Sequence, residues 1–130
     1  MFRIKRTYDP PAREDGYRYL VERLWPRGIK KDDLALDAWL KDIAPSTELR
    51  KWYAHQVERW PEFRRRYRAE LDKNRDALAP LLEAGHHGNV TLLYSAADEQ
   101  HNSAVVLREY LEEQLATRRP QRARPRRKAA

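Results

Sequence analysis

The chain of 130 residues is long enough for one domain with a single core and too short for two ordinary domains. It contains no cysteine, which excludes disulfides, thiolate metal sites and a cysteine nucleophile. Seven of the 27 Lys and Arg residues lie in 118–128 without one acid, so the other 20 balance the 20 Asp and Glu residues and the net charge of +7 belongs to the C-terminal segment. The sequence therefore predicts a neutral α/β domain over residues 1–116 and a basic, disordered tail over residues 117–130.

Two strands are predicted near the amino terminus. In residues 2–8, Phe2 and Ile4 fall on one face and Arg3 and Lys5 on the other, which is typical of a half-buried strand. After a polar loop, residues 17–25 are rich in aromatic and aliphatic side chains and predict a second strand, which Pro26 and Gly28 would end. The charged amino terminus does not suit a signal peptide, and no segment approaches the roughly 20 apolar residues of a membrane span, so we expect a cytoplasmic protein.

Helices are predicted in the middle of the chain. Residues 34–43 suit either a helix or an irregular segment, and Ser46 is placed to cap the helix that follows. A longer helix should open at Pro61 and bury Phe63, Tyr67 and Leu71, which recur every four residues. A further segment to residue 84 adds Leu78, Leu81 and Leu82 to the core, and residues 85–89 are predicted to form a turn.

The last third of the chain predicts a strand, a loop and a helix. Val90 to Tyr94 is a continuous apolar run, typical of a central strand that is covered on both faces. The final helix should turn four side chains toward the core: Ala104, Leu107, Leu111 and Leu115. Together the elements predict an α/β fold in a single domain, with a small, mostly parallel sheet and helices packed on it.

Several short strings of the chain carry a resemblance to a known family. They are Asp15-Gly16-Tyr17-Arg18, Arg23-Leu24-Trp25-Pro26-Arg27-Gly28, Ala44-Pro45-Ser46, Leu49-Arg50-Lys51-Trp52, Thr91-Leu92-Leu93-Tyr94-Ser95-Ala96 and Asn102. Over residues 1–115 the chain resembles the YeaO-like family, domain of unknown function 488. The resemblance implies a bacterial α/β protein, and it implies no reaction because the family is uncharacterised.

Neither a cofactor nor a metal is predicted. The four glycines, at positions 16, 28, 85 and 88, form neither a Gly-x-Gly-x-x-Gly turn nor a phosphate-binding P-loop. His86 and His87 adjoin each other in the predicted turn and have no further His or carboxylate at the spacing of metal ligands.

A candidate site lies at the carboxyl edge of the predicted sheet. If the strands ending at Trp25 and Tyr94 are parallel neighbours, the loops after them meet where open α/β folds bind ligands. An anion would be held there by Arg23, Arg27 and Lys30. Ser95 and Asn102 would orient the ligand, and Trp25 or Tyr94 would offer a stacking surface. If chemistry occurs, Asp98 or His101 would be the acid or base.

Other roles for the same residues stay open at this point. Arg23 and Arg27 could instead pair with Asp15, Glu22 or Asp37, and Trp25 could belong to the core. Asp98 could cap the final helix, whereas Ser95 with His101 could form a nucleophilic dyad. The arginine run of residues 64–68 is interpreted as a helix surface whose charges pair four residues apart, as Glu62 with Arg66, Arg66 with Glu70 and Arg68 with Asp72.

The sequence therefore predicts a protein that binds, or also transforms, a small anionic ligand such as a nucleotide, a sugar phosphate or a carboxylate. The alternative is a non-enzymatic interaction module whose Arg-rich tail binds nucleic acid or another polyanion without sequence preference. No membrane partner is expected, and the sequence assigns neither a reaction nor an oligomeric state.

Overall fold

A parallel β-sheet lies at the centre of the computed structural model, which describes the backbone of residues 1–129 and the side chains of residues 1–116. The strands are β1 (Phe2–Arg6), β2 (Tyr17–Leu20), β3 (Ala38–Trp39) and β4 (Val90–Tyr94). They lie in the order β1-β4-β2-β3, and every neighbouring pair is parallel. The prediction of an α/β fold with a small parallel sheet is confirmed.

The α-helices of the described chain are α1 (Lys31–Leu34), α2 (Thr47–Tyr53), α3 (Trp60–Lys73), α4 (Ala79–His87) and α5 (Ser103–Ala129). Short 3-10 turns at Arg13–Asp15, Lys41–Ile43, Val57–Arg59 and Arg75–Leu78 connect them. Ser46 caps α2 as predicted, because its hydroxyl accepts a hydrogen bond from the backbone N–H of Leu49 at 3.1 Å. Pro61 lies in the first turn of α3, where its missing N–H costs no hydrogen bond.

The larger core occupies one face of the sheet. The alternation of side chains in β1 and β4 places Phe2, Val90, Leu92 and Tyr94 on that face. Helices α3, α4 and α5, with the 3-10 turn before α4, cover it with the residues predicted to be buried, which are Phe63, Tyr67, Leu71, Leu78, Leu81, Leu82, Ala104, Leu107, Leu111 and Leu115. Every residue of β4 is buried, so this strand is covered on both faces as predicted.

The opposite face holds a smaller apolar cluster and a buried charge. Leu20, Leu34 and Leu93 form the cluster. Toward the amino end of the strands, the buried carboxylate of Asp15 accepts hydrogen bonds from Arg18 and, at 3.1 Å, from Lys5. Of the basic side chains that alternate with the apolar residues of β1, Lys5 thus pairs with Asp15, and Arg3 donates to the carbonyl of Glu14 at 2.8 Å.

Three sequence-based boundaries differ from the structure. The second strand ends at Leu20 instead of residue 25, since its pairing with β4 stops where Val21 donates to the carbonyl of Leu93. Residues 34–43, predicted as helix or irregular, contain the end of α1, the two-residue strand β3 and the 3-10 turn Lys41–Ile43. The predicted turn at 85–89 is wrong, because α4 continues to His87.

Close packing explains the glycine inside α4. A Cβ atom at position 85 would lie 2.7 Å from the ring of Phe2, so glycine lets the helix approach the sheet. Residues 117–130 lie outside the part of the chain whose side chains are described, and the predicted tail with its boundary at residue 116 stays a prediction. No helix in the described part of the chain is both long and apolar enough to cross a membrane.

Candidate functional site

A cavity of about 590 Å³ opens at the carboxyl edge of the sheet. Its walls come from the loops that follow β1, β2 and β4 and from α2 and the start of α5. The polar residues that line it are Tyr8, Glu22, Arg23, Arg27, Arg50, Tyr53, His55, Ser95, His101, Asn102 and Ser103. Because β2 and β4 are parallel neighbours, the edge forms as the sequence predicts, in the place where open α/β sheets bind ligands.

Three arginines line this cavity, of which two follow β2 and one lies on α2. Arg23 is partly used by the fold, because its guanidinium donates to the carbonyl of Pro45 at 2.8 Å and to that of Ala44 at 3.4 Å. The guanidinium groups of Arg27 and Arg50 form no hydrogen bond or ion pair with the described residues. The alternative in which Arg27 pairs with Asp15 or Asp37 is therefore not observed, and two guanidinium groups remain available to a ligand.

Glu22 is the carboxylate of the cavity wall. Its backbone carbonyl accepts a hydrogen bond of 2.6 Å from the indole N–H of Trp39. Its side chain interacts with the backbone N–H and the hydroxyl of Ser95, and the Ser95 hydroxyl lies 3.1 Å from that of Thr7. Burial raises the pKa of Glu22 above its ordinary value. The hydrogen bonds from Ser95 lower it, as do the nearby charges of Arg50 and His55, but together they offset only part of the effect of burial.

Asp98 and His101 form a pair beside the main cavity. The imidazole Nδ1 lies 3.0 Å from Asp98 Oδ2, and the ring meets the indole of Trp60 edge-on at 5.2 Å. The backbone N–H of Gln100, with smaller contributions from His101, holds the pKa of Asp98 below its ordinary value. His101 lines both the main cavity and an adjoining cavity of about 340 Å³, whereas Asp98 lines only the smaller one.

Two of the alternatives left open by the sequence concern this region, namely a Ser95–His101 dyad and a helix cap formed by Asp98. The Ser95 hydroxyl contacts Thr7, and His101 is held by Asp98, so the described residues contain no Ser95–His101 dyad. Asp98 caps the turn before α5 through the N–H groups of Gln100 and His101. The prediction that Asp98 caps the final helix is wrong, because Asn102 Oδ1 accepts from Val105 N at 3.1 Å and performs that role.

The remaining predicted ligand contacts divide between the cavity and other places. Trp25 lines the cavity, packs edge-on against Trp39 at 5.4 Å and donates its indole N–H to the carbonyl of Ile29. Tyr94 is 2 % exposed and belongs to the main core, so it offers no stacking surface. Lys30 is exposed at the start of α1 and is not among the cavity residues.

Sequence reasoning missed Arg50 and His55 and treated Glu22 only as an ion-pair partner. Glu22 was assigned to the interior of a strand that in fact ends at Leu20, and its place directly after the strand makes it an edge residue. Arg50 lies on the face of α2 that lines the cavity, and His55 reaches it because α2 is followed by two consecutive left-handed residues, Ala54 and His55. Neither residue is glycine or asparagine, so no local signal predicts this turn.

Comparison with known proteins places the chain in a family. The model of the Inactive DUF488-N3 subclade matches residues 1–128. Uncharacterized protein YeaO of Escherichia coli (strain K12) is 50% identical over 107 residues, which cover 82% of this chain and 93% of that protein. The chain belongs to the YeaO-like DUF488 family. Uncharacterized protein Rv3073c of Mycobacterium tuberculosis is 43% identical over 109 residues, or 84% of this chain and 92% of that protein, and no solved structure matches.

The strings that carry the resemblance to the DUF488 family meet at the cavity. Residues 23–27, 44–45 and 95–96 line it, together with Arg50 and Asn102. These segments are far apart in the chain, and the parallel sheet brings them to one edge. The family segment at Asp15–Arg18 lies instead in the buried ion cluster at the amino end of the strands.

Other charged features of this DUF488-family chain have structural partners. Arg65 and Arg66 pair with Glu62 as helix-surface ion pairs, but Glu70 binds Ser46 and Asp72 accepts from Tyr110. The predicted Arg66–Glu70 and Arg68–Asp72 pairs are therefore wrong, and Arg68 reaches across to Glu113 instead. His87 lies 3.0 Å from Glu83, and the described residues contain no group of three or more His, Asp or Glu side chains placed to hold a metal ion.

Proposed function

We propose that this protein binds a small anionic ligand, such as a nucleotide, a sugar phosphate or a carboxylate, in the cavity at the carboxyl edge of the sheet. The observation that carries the proposal is the pair of guanidinium groups, Arg27 and Arg50, that line the cavity without a hydrogen-bonding partner among the described residues. A guanidinium offers five donors in a planar fork that matches phosphate and carboxylate groups.

The surroundings of these two arginines favour the same class of ligand. The volume of about 590 Å³ lies within the range of small-molecule sites, roughly 300–1,000 Å³. Ser103 begins α5 at the cavity wall, so the partial positive charge of this helix end adds to the attraction for an anion. Trp25 and Tyr53 supply aromatic surface for the uncharged part of the ligand.

Binding is favoured over catalysis. The matched subclade is described as inactive, and Ser95 and His101 contact Thr7 and Asp98 instead of each other. The Asp98–His101 pair is the group that would act as acid or base if the ligand is transformed, because a carboxylate fixes one ring nitrogen and leaves the other for proton transfer.

The test is a thermal unfolding scan of the full chain against a panel of nucleotides, sugar phosphates and carboxylates. A ligand at 100 times its dissociation constant stabilises the folded state by about 2.7 kcal/mol, which raises the melting temperature by several degrees. We expect the shift to disappear in Arg27→Ala and Arg50→Ala and to persist in Arg13→Ala, which removes an exposed arginine at the amino end of the strands. Equal shifts in all three variants, or no shift with any compound, would contradict the proposal.

A second candidate function rests on the charge of the C-terminal segment. Residues 118–128 carry seven Lys or Arg and no acid, which suits the phosphates of a nucleic acid or another polyanion. Deleting residues 118–130 should abolish polyanion binding while the small-ligand shift remains. Binding in the full chain should weaken steeply as salt increases, because it releases counterions. Polyanion binding that survives the deletion would exclude this role for the tail.

A further inference from the structure

Glu22 is held in a fixed position on the cavity wall. It follows β2 directly, where the N–H of Val21 still donates to the carbonyl of Leu93 at 3.3 Å. Its own carbonyl is tied to the Trp39 indole at 2.6 Å. The backbone on both sides of Glu22 is therefore restrained, and the carboxylate itself is held by its interactions with Ser95.

The partners of this carboxylate leave it able to accept more hydrogen bonds. It interacts with the N–H and the hydroxyl of Ser95, whereas its two carboxylate oxygens offer about four acceptor positions. The hydroxyl oxygen of Ser95 lies 3.1 Å from that of Thr7, and this hydrogen bond orients the hydroxyl that contacts the Glu22 carboxylate. Among the described residues that line the cavity, Glu22 is the one carboxylate, and a ligand would meet its remaining acceptor positions.

The charges around the cavity restrict the net charge of the ligand. The cavity is lined by three arginines and one glutamate, which are Arg23, Arg27, Arg50 and Glu22. When the histidines are neutral, these side chains carry a net charge of +2. A phosphate monoester carries close to two negative charges at neutral pH and balances this excess. A neutral zwitterion would leave both charges uncompensated, and a simple carboxylate would leave one and offer Glu22 no donor.

We propose that Glu22 accepts hydrogen bonds from ligand hydroxyl groups, so that the cavity selects polyhydroxylated phosphate monoesters, meaning sugar phosphates or nucleoside monophosphates. This inference rests on the anion-binding function proposed above and adds the residue that reads the uncharged part of the ligand. In this proposal the arginines bind the phosphate, and Trp25, which also lines the cavity, contacts the sugar or the base.

The test compares two phosphate monoesters on the full chain by isothermal titration calorimetry. Ribose 5-phosphate carries hydroxyl groups, and methyl phosphate carries none. Hydrogen bonds to a charged acceptor predict that ribose 5-phosphate binds about 10- to 100-fold more tightly to the wild type. In Glu22→Ala this ratio should fall to about one while methyl phosphate binds as well as before or better, because a negative charge has been removed.

Two further variants keep the experiment interpretable. Glu22→Gln retains the shape of the side chain and should reduce the ratio at least severalfold even if Glu22→Ala does not fold. Glu112→Gln removes the charge of an exposed glutamate on α5 and should leave the ratio unchanged. Adenosine 5′-monophosphate completes the series, and tighter binding than ribose 5-phosphate would identify the nucleotide as the preferred member of the class.

The failures of the two proposals are distinguishable. If the wild type binds methyl phosphate and ribose 5-phosphate equally, or if the ratio survives in both Glu22 variants, the role of Glu22 is refuted while anion binding stands. A preference for phosphoethanolamine over ribose 5-phosphate would also overturn it, since Glu22 would then read an ammonium group. If no phosphate monoester and no other anion of the panel binds, the proposed function itself fails.

Discussion

Replacing Asp15 with alanine is expected to lower the free energy of unfolding by about 3–5 kcal/mol, because it leaves a buried charge without its partner. Asp15 is 2 % exposed and Arg18 is 5 % exposed, and the two form a hydrogen-bonded ion pair. The same carboxylate accepts from Lys5 at 3.1 Å and from the N–H of Ala12 at 2.9 Å. Arg18 also holds the carbonyls of Leu34 and Ala35, so the substitution loosens the segment that covers this face of the sheet.

Urea unfolding followed by circular dichroism measures the loss. With a slope of about 1.5 kcal/mol per molar urea, the midpoint should fall by about 2–3 M. Asp76→Ala, which removes an exposed aspartate in the turn before α4, should change the midpoint by less than about 0.5 M. A loss in Asp15→Ala as small as that of Asp76→Ala would refute the view that the cluster is a buried, mutually dependent network.

The pH dependence gives a second measurement on the same variant. Burial raises the pKa of Asp15, but the hydrogen bonds from Ala12, Lys5 and Arg18 outweigh burial and hold this pKa below the ordinary aspartate value of 3.8. The charged form is thus favoured in the folded state, and its contribution is present above pH 3.8 and is lost as the pH falls through the folded pKa. The stability difference between the wild type and Asp15→Ala should therefore narrow in strong acid.

Two further predictions concern backbone and ionisation. Gly16→Ala should cost about 1–3 kcal/mol more than Gly28→Ala in urea unfolding. Both glycines have positive φ, but only at Gly16 would a Cβ meet a backbone atom, the carbonyl oxygen of Asn89 at 2.2 Å. Burial, with the hydrogen bond to Asp72, raises the pKa of Tyr110 to about 12, so stability should fall between pH 10 and 12 less steeply in Tyr110→Phe than in the wild type. Parallel curves for the two proteins would contradict that assignment.

Much of the secondary structure follows from local signals. Val90 to Tyr94 is a strand with the predicted bounds, since a run of five buried residues, four of them apolar, has one compact arrangement in a sheet covered on both faces. The buried stripe Phe63, Tyr67 and Leu71 and the cap at Ser46 were also predictable. Each of these features depends on spacing within one element, which the sequence states directly.

The candidate site was only partly predictable. Arg23 and Ser95 could be placed at the carboxyl edge because parallel strands bring their ends together. Glu22 was not recognised, since the end of β2 depends on its pairing with β4 and the residues beyond Leu20 look equally suited to a strand. Lys30 was assigned to the edge on sequence distance alone, but the chain turns away from the cavity before it.

The amino-acid sequence by itself determined the α/β class, the buried faces and the balance of charge between residues 1–116 and the segment after them. These are properties of periodicity and composition, and they hold whatever the strand order is. Only the tertiary structure decided which charges meet. It joined Asp15 to Arg18 and Asp98 to His101, and it placed Glu22 and Arg50 on one cavity, because such contacts depend on strand order and on turns such as Ala54–His55 that carry no local signal.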